Sequence, residues 1–332
     1  MKEPPLRPAR DTVEGRPELH AVSSAIVVRE LRREYGDVEV VRGVSLDIRE
    51  GEIFGLLGPN AAGKTTLLSM ISTRIRPTSG DAWIFGKHIV RDVNAVRRLL
   101  NVAPQEEALY PSLTAEENLK FFADLYGVPR TERRRRVKEA LEAVGLTARK
   151  RDRVSTYSGG MRRRLNLGCT LVSGPKLVLL DEPTVAVDPQ SRAHIFDAVR
   201  ALRASGVTIV YTTHYLEEAE DLCDRIAIMD EGRVVACGTL PELLALSYAT
   251  EIIDLRLLAQ PDNVAPLEGV EGVEKVEVAG SHVRVFTRRA QHALPLVYRT
   301  LARMGHGVLH TRVTPVTLDD VFLQLTGKGL RD

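Results

Sequence analysis

The residues Gly58-Pro59-Asn60-Ala61-Ala62-Gly63-Lys64-Thr65 form a run whose small members let backbone N–H groups close around phosphates. In such a loop Lys64 reaches the β- and γ-phosphates, Thr65 offers a hydroxyl to Mg²⁺, and Thr66 is counted with them as a phosphate contact. The implied chemistry is binding of a nucleoside triphosphate. Three later stretches extend it: Tyr157-Ser158-Gly159-Gly160-Met161, Leu177-Val178-Leu179-Leu180-Asp181-Glu182, and His214 at the end of Thr208-Ile209-Val210-Tyr211-Thr212-Thr213. Asp181, closing an apolar strand, reads as a cap of the following turn or, downstream of a phosphate loop, as the carboxylate that holds Mg²⁺ largely through water. Glu182 beside it is placed to polarise an attacking water, a role worth about 10²–10⁴ in rate. His214 taken alone also reads as a packed core histidine, and Gln105, after Leu99-Leu100-Asn101-Val102-Ala103-Pro104, as a plain polar loop residue.

These groups need a scaffold that brings them together. Ile53 to Leu57 is a short buried strand feeding the phosphate loop, and the pattern predicts a helix from Thr65 to Ile75 whose N-terminus turns its partial positive charge on the phosphates. Leu177 to Leu180 and Val207 to Thr212 read as two more buried strands. Strand-like runs alternate with helical ones, which predicts a parallel sheet covered by helices, with ligands beyond the carboxyl ends of its strands. Asp188, followed by Pro189 and a helical run from Ser191 to Leu202, is a strong N-cap. Between about Leu113 and Gly174 the pattern turns helical, opened by the capping box Thr114-Ala115-Glu116-Glu117. After a Leu240 to Leu246 helix the chain reads as a separate module, with strands at Glu251 to Leu257, Glu274 to Val278, His282 to Thr287 and Val308 to Val313. Helices near Ala293 to Met304 and Leu318 to Leu325 complete a β-α-β-β-α-β order.

Composition bounds the rest. A chain of 332 residues with 44% apolar content fills two domains. No apolar stretch reaches the roughly 18 residues of a spanning helix, and Met1 to Ser24 is charged and proline-dotted, so a cytoplasmic location is expected. Cys169, Cys223 and Cys237 form no Cys-x-x-Cys pair and are read as reduced core thiols. The net charge of +2 hides thirteen Lys/Arg against four Asp/Glu between Arg130 and Arg164. That run, Arg133-Arg134-Arg135-Arg136 included, reads first as a solvated helix face and second as a surface for anionic lipid or nucleic acid.

In kind, order and spacing, with Ser158 lying 94 residues beyond Lys64, the motifs resemble those of ABC transporter ATP-binding subunits over roughly residues 26 to 240. The resemblance implies an α/β fold: a P-loop ABC nucleotide-binding domain over 25–247 with a helical subdomain at about 113–174. A small C-terminal α+β, ferredoxin-like domain over 248–332 and a flexible tail over 1–24 complete it. It implies that Gln105 reaches the metal and water and couples the site to a membrane partner, that His214 contacts the γ-phosphate, and that Tyr35 stacks on adenine. Ser158-Gly159-Gly160 would complete the site of an opposite subunit, with Asp188 contacting that subunit, so ATP and Mg²⁺ would hold a homodimer together. Ala61 and Ala186 stand where the family commonly has glycine, and Tyr157 and Met161 where it has Leu and Gln.

The C-terminal Thr317-Leu318-Asp319-Asp320-Val321-Phe322-Leu323-Gln324-Leu325-Thr326-Gly327 is similar to the end of daunorubicin-resistance-type exporter ATPases. The expectation is the ATPase of an ABC-2-type exporter for a drug or lipid-like substrate, on the inner face of the cell membrane beneath a separate permease, with no specific nucleic acid. The alternative is a soluble ABC ATPase acting on nucleic acid or ribosomes, for which 130–164 would be the binding face.

Overall fold

The computed structural model describes residues 23–328; of the tail expected over 1–24, only Ser23 and Ser24 lie within them, and Ser24 already opens a strand. The chain runs β1 (Ser24–Tyr35), β2 (Val38–Arg49), β3 (Ile53–Leu57), α1 (Lys64–Ile71), β4 (Ser79–Ile84), β5 (Lys87–His88), α2 (Val93–Arg97) and β6 (Leu100–Ala103). The helical stretch follows as α3 (Ala115–Leu125), α4 (Arg130–Ala143) and α5 (Gly159–Leu171). Then come β7 (Leu177–Asp181), α6 (Pro189–Ala204), β8 (Thr208–Thr213), α7 (Leu216–Leu222), β9 (Arg225–Asp230), β10 (Arg233–Gly238) and α8 (Leu240–Leu244). The last part comprises β11 (Glu251–Leu257), α9 (Ala265–Glu268), β12 (Val273–Ala279), β13 (His282–Thr287), α10 (Ala290–Arg303), β14 (Val308–Pro315) and α11 (Leu318–Thr326).

A six-stranded sheet in the order β10-β9-β3-β8-β7-β6 carries the site. Its strands from β9 to β6 are parallel, and every residue of β3, β7 and β8 is buried. That is why these strands read as unbroken apolar runs: a parallel sheet is covered on both faces. One face packs against α3 to α6 through residues such as Leu165, Val178 and Ile195. The other packs, through Phe54, Leu67 and Leu179, against a four-stranded antiparallel sheet β2-β1-β4-β5. That second sheet was not foreseen from the sequence. Its first pair shifts register four times, and Glu30 sits at φ 46, so the alternation that marks a half-buried strand is interrupted.

Local chemistry explains the helix ends. α3 opens on the Thr114/Glu117 capping box and α6 on the Asp188 side chain, which accepts from the Ser191 N–H. α1 stops at Ile71, four residues before the predicted end, because Thr73 turns left-handed at φ 62 and the Arg74 N–H closes back on the Ser69 carbonyl. Along α4 the basic run is met by its own helix, Arg135 by Glu132 and Glu139, Arg136 by the same two, Lys138 by Glu142. Cys169 is buried, but Cys237 is exposed on β10, so it is not a core thiol.

The strands after Glu251 form an antiparallel sheet ordered β12-β13-β11-β14, with α9 and α10 packed on one face through Leu267, Val297 and Leu301. The other face does not stand apart from the rest. Ile252, Phe286 and Phe322 share one cluster with Leu57, Ile226 and Ile228 of the six-stranded sheet, and α11 lies against α7 and α8. Sequence patterning shows this part as separate because its strands and helices form a self-contained series, whereas the contact joins residues 24 to 265 positions apart.

Two alanines hold a conformation that suits glycine. Ala61 in the phosphate loop has φ 65 and Ala186 before the Asp188 cap has φ 59. A Cβ there costs about 1–2 kcal/mol, and glycine gives back about 0.4–1 kcal/mol through the unfolded chain. Ala61→Gly and Ala186→Gly are each expected to stabilise by about 0.5–1 kcal/mol, read as a rise of roughly 1–4 °C in the thermal midpoint. A fall in Tm for both would contradict the strain.

Candidate functional site

The site is built where β3, β7 and β8 end. β3 delivers the phosphate loop, and α1 begins inside it with Gly63 at φ 96 as its N-cap. A side chain there would meet the Val40 carbonyl at 2.8 Å, so the loop requires glycine to pass β2. The amides of Lys64, Thr65 and Thr66 in the first turn of α1 have no intrahelical acceptor and stand at the positive end of the helix dipole, and the Leu67 N–H is the first to bond back, to the Gly63 carbonyl. Lys64 is buried, its Nζ donating to the carbonyls of Gly58 at 2.7 Å and Pro59 at 3.0 Å. Burial lowers the pKa of this ammonium, and the Glu182 carboxylate opposes that shift.

Asp181 is the last residue of β7. Its Oδ1 accepts from Thr65 Oγ1 at 3.2 Å and from Thr212 Oγ1, on neighbouring β8, at 2.8 Å. Glu182 follows, 7% exposed, with Oε1 3.3 Å from Lys64 Nζ and Oε2 3.4 Å from His214 Nδ1. The His214 Nδ1 is buried without a hydrogen-bond partner. Glu182 adopts φ 47, rare for a residue with a side chain. Two side chains hold it there: its N–H donates to Thr212 Oγ1 at 2.9 Å, and its carbonyl accepts from Arg163 Nη2 at 3.2 Å. Strain fixed from both sides points the carboxylate at Lys64 rather than into solvent.

Arg163 was not singled out from the sequence, where it was counted in the basic run. It is 8% exposed, on α5, and also donates to the Gln105 carbonyl. One guanidinium thus ties the loop of Gln105 to the backbone of Glu182, and burial lowers its pKa while Glu107, Asp181 and Glu182 counter it. The signal that could have found it is its place one turn after Ser158-Gly159-Gly160, on the apolar side of α5 next to Leu167 and Thr170. For this residue the solvated-face reading is corrected.

Lys64, Thr65, Thr66, Asn60 to Gly63, Gln105 and Glu182 line one cavity of about 540 Å³, which extends along Val38 to Arg42 and Gly232. Ser158 and Tyr35 do not line it. Tyr35 is 47% exposed at the end of β1, paired with Val38 across a turn, and its ring carries the Arg33 guanidinium at 4.5 Å. Ser158 caps α5 by accepting from the Met161 N–H at 3.2 Å, and Gly159 beside it is open. Gly160 is held against α6: a Cβ would fall 2.1 Å from Ser191 Oγ and 2.5 Å from Asp188 Oδ2. The Ser-Gly-Gly segment therefore packs on the Asp188 cap of its own chain and does not line the cavity of the phosphate loop. Asp188, its pKa lowered by the Ser191 amide, keeps a full charge at that surface.

The donor set fits a nucleotide with Mg²⁺. Among the described residues no three His, Cys, Asp or Glu side chains gather to cage a metal. Mg²⁺ needs no such cage, since it takes one or two carboxylates and completes its shell with waters and phosphates, and the Thr65/Asp181 pair offers that.

Comparison with known proteins agrees with this geometry. The ABC transporter family model matches residues 41–185. The linearmycin resistance ATP-binding protein LnrL of Bacillus subtilis (strain 168) is 39% identical over 91% of this chain and 98% of its own length. The daunorubicin resistance ATP-binding protein DrrA3 of Streptomyces coeruleorubidus is 38% identical over 93% of this chain and 98% of its own. Among solved structures, the ATP-binding cassette MJ0796, a dimer in a post-hydrolysis state bound to ADP and Pi, superposes with a TM-score of 0.59 at 27% identity, over 65% of this chain and 98% of that one. With relatives this similar along nearly their whole length, and the phosphate loop, Asp181-Glu182 and His214 gathered at one sheet end, the chain belongs to the ABC transporter family, as an ATP-binding, ATP-hydrolysing subunit.

Proposed function

We propose that the chain hydrolyses ATP-Mg²⁺ between two head-to-tail copies of itself and so drives export of a drug or lipid-like substrate through a separate ABC-2-type permease. The observation that carries this reading is Glu182, with Lys64 and His214 on its two carboxylate oxygens at 3.3 and 3.4 Å. Lys64 exchanges its loop carbonyls for β- and γ-phosphate oxygens. Glu182, freed of the ammonium, accepts the proton of the attacking water, and His214 holds the γ-phosphate. Thr65, Gln105 and Asp181 would hold Mg²⁺, which would neutralise phosphate charge. Tyr35 supplies an exposed ring for adenine.

The Ser158-Gly159 end of α5 is exposed and does not line its own chain's cavity, which supports a composite site completed by the opposite subunit, with Asp188 beside it. The permease reading rests on a groove of about 900 Å³ between β6 and the helices α2, α3 and α5. Its wall includes Asn101, Phe122, Tyr126 and Asn166, and Asn166 bonds the backbone of Pro104 and Ala108 on either side of Gln105. A partner seated there touches the loop that Arg163 ties to Glu182. No helix among the described residues is long and apolar enough to cross a membrane, so in this reading the chain lies in the cytoplasm against the membrane's inner face, as units 25–247 and 248–332. The nucleic-acid alternative is weakened on α4, where Arg135 and Arg136 pair with Glu132 and Glu139 of the same helix and Arg133 with Asp124 of α3.

Glu182→Gln keeps the shape and loses the base, so ATP binding is expected to persist while steady-state phosphate release falls about 10²–10⁴-fold. Turnover near the wild-type rate would refute the assignment. In the Glu182→Gln background ATP-Mg²⁺ is expected to drive dimers, seen by light scattering, and adding Ser158→Arg to abolish them. Equal dimerisation of the two proteins would sink the shared site.

A further inference from the structure

Beneath the site lies a second buried carboxylate that the reaction as read so far does not use. Glu218, on α7, is 2% exposed and far from the phosphate loop in sequence. Its Oε1 accepts from Thr184 Oγ1 at 2.7 Å, and its Oε2 from Tyr211 Oη at 3.0 Å and Thr213 Oγ1 at 2.9 Å. The Arg192 Nε lies 3.6 Å from Oε1, and that guanidinium stands over the Tyr215 ring at 5.7 Å. Four segments thus meet on one side chain: the turn after Glu182, strand β8, the first turns of α6 beyond the Asp188 cap, and α7 itself.

A buried carboxylate is a poor device for stability alone, because desolvation offsets most of what its partners contribute and an apolar side chain of similar size would pack as well. Here the partners are chosen by position. Thr213 immediately precedes His214, and its Oγ1 both donates to Glu218 and accepts from the Tyr215 N–H at 2.9 Å. The turn that presents His214 is therefore pinned on both sides of the histidine through a single hydroxyl. Tyr211, two residues before Thr213 on the same strand, is fully buried, and burial beside Glu218 raises its pKa, so its hydroxyl stays a donor. We infer that Glu218 is a positioning residue: through Thr213 it sets the place of the His214 imidazole against Glu182 Oε2, and through Arg192 it links that placement to the helix capped by Asp188.

This inference rests on the reading of His214 as the γ-phosphate contact, and the test separates the two. Steady-state ATPase kinetics and thermal midpoints are measured on the full chain for wild type, Glu218→Gln, Tyr211→Phe, His214→Ala and the Glu218→Gln/His214→Ala double variant. The amide of Glu218→Gln cannot accept from all three hydroxyls, so kcat is expected to fall about 10- to 100-fold while KM for ATP stays within about two-fold; because an unfolded fraction also lowers apparent kcat at constant KM, kcat is normalised to the folded fraction read from the melting curve. Tyr211→Phe removes one donor without emptying the core and is expected to lower kcat about three- to ten-fold; if Glu218→Gln reduces the folded fraction, this variant decides. In the His214→Ala background, Glu218→Gln is expected to have no further effect on kcat. Wild-type kcat in both Glu218→Gln and Tyr211→Phe, or the same loss with and without His214, would overturn the inference while leaving the His214 reading intact. Wild-type turnover in His214→Ala would remove that reading and the inference with it.

Discussion

The Glu182 carboxylate, held between the Lys64 ammonium and the His214 imidazole, is a charge kept at the carboxyl ends of strands with no exposed residue. A carboxylate and an ammonium this deeply buried persist only if each has partners. Lys64 has two loop carbonyls and Glu182, and Asp181 has two threonine hydroxyls. Lys64 and Thr65 follow β3, Asp181 and Glu182 end β7 and Thr212 lies on β8, so the full set of partners exists only where these three strands lie side by side. There the phosphates of ATP enter a place already prepared for negative charge, and Lys64 has somewhere to go.

Around that centre the chain stores strain where movement is useful. Glu182 at φ 47 and Ala186 at φ 59 lie on one short turn between β7 and the Asp188 cap of α6. Arg163, Thr212 and Thr184 hold the turn from the side of the sheet, and Gly160 lies against its far end. The same few residues therefore join the loop of Gln105, the Glu182 carboxylate and the surface that would meet a second subunit. A displacement at any of these is felt at the others, because a packed core moves between discrete arrangements and does not yield gradually. The cluster that ties α11 to β3 and β9 extends this rigidity to the C-terminal part of the chain.

Much of this was legible in the amino-acid sequence. The phosphate loop, Asp181-Glu182 and the strands carrying them stand out because buried parallel strands leave continuous apolar runs and because phosphate chemistry permits few residue types. The caps at Thr114 and Asp188 and the β-α-β-β-α-β order after Glu251 follow from local rules of the same kind. What stayed hidden had no local signature. The sheet of β1, β2, β4 and β5 is broken by bulges, and Arg163 and Glu218 are buried charged residues among charged neighbours whose partners Gln105 and Thr184 lie 58 and 34 positions away along the chain.

The sequence by itself determined which chemistry is possible, since backbone closure on phosphate, a hydroxyl for Mg²⁺ and a carboxylate at a strand end are properties of residue type and spacing. Tertiary structure alone decided which groups meet. Glu182 Oε1 is turned to Lys64 and Oε2 to His214 because a left-handed backbone is held there by Arg163 and Thr212, and Ser158 stays out of the cavity as the cap of α5 while Gly160 is pressed against Asp188 and Ser191. Those outcomes depend on contacts between elements, and contact between elements is set by the packing of the sheet and its helices, which no window of sequence contains.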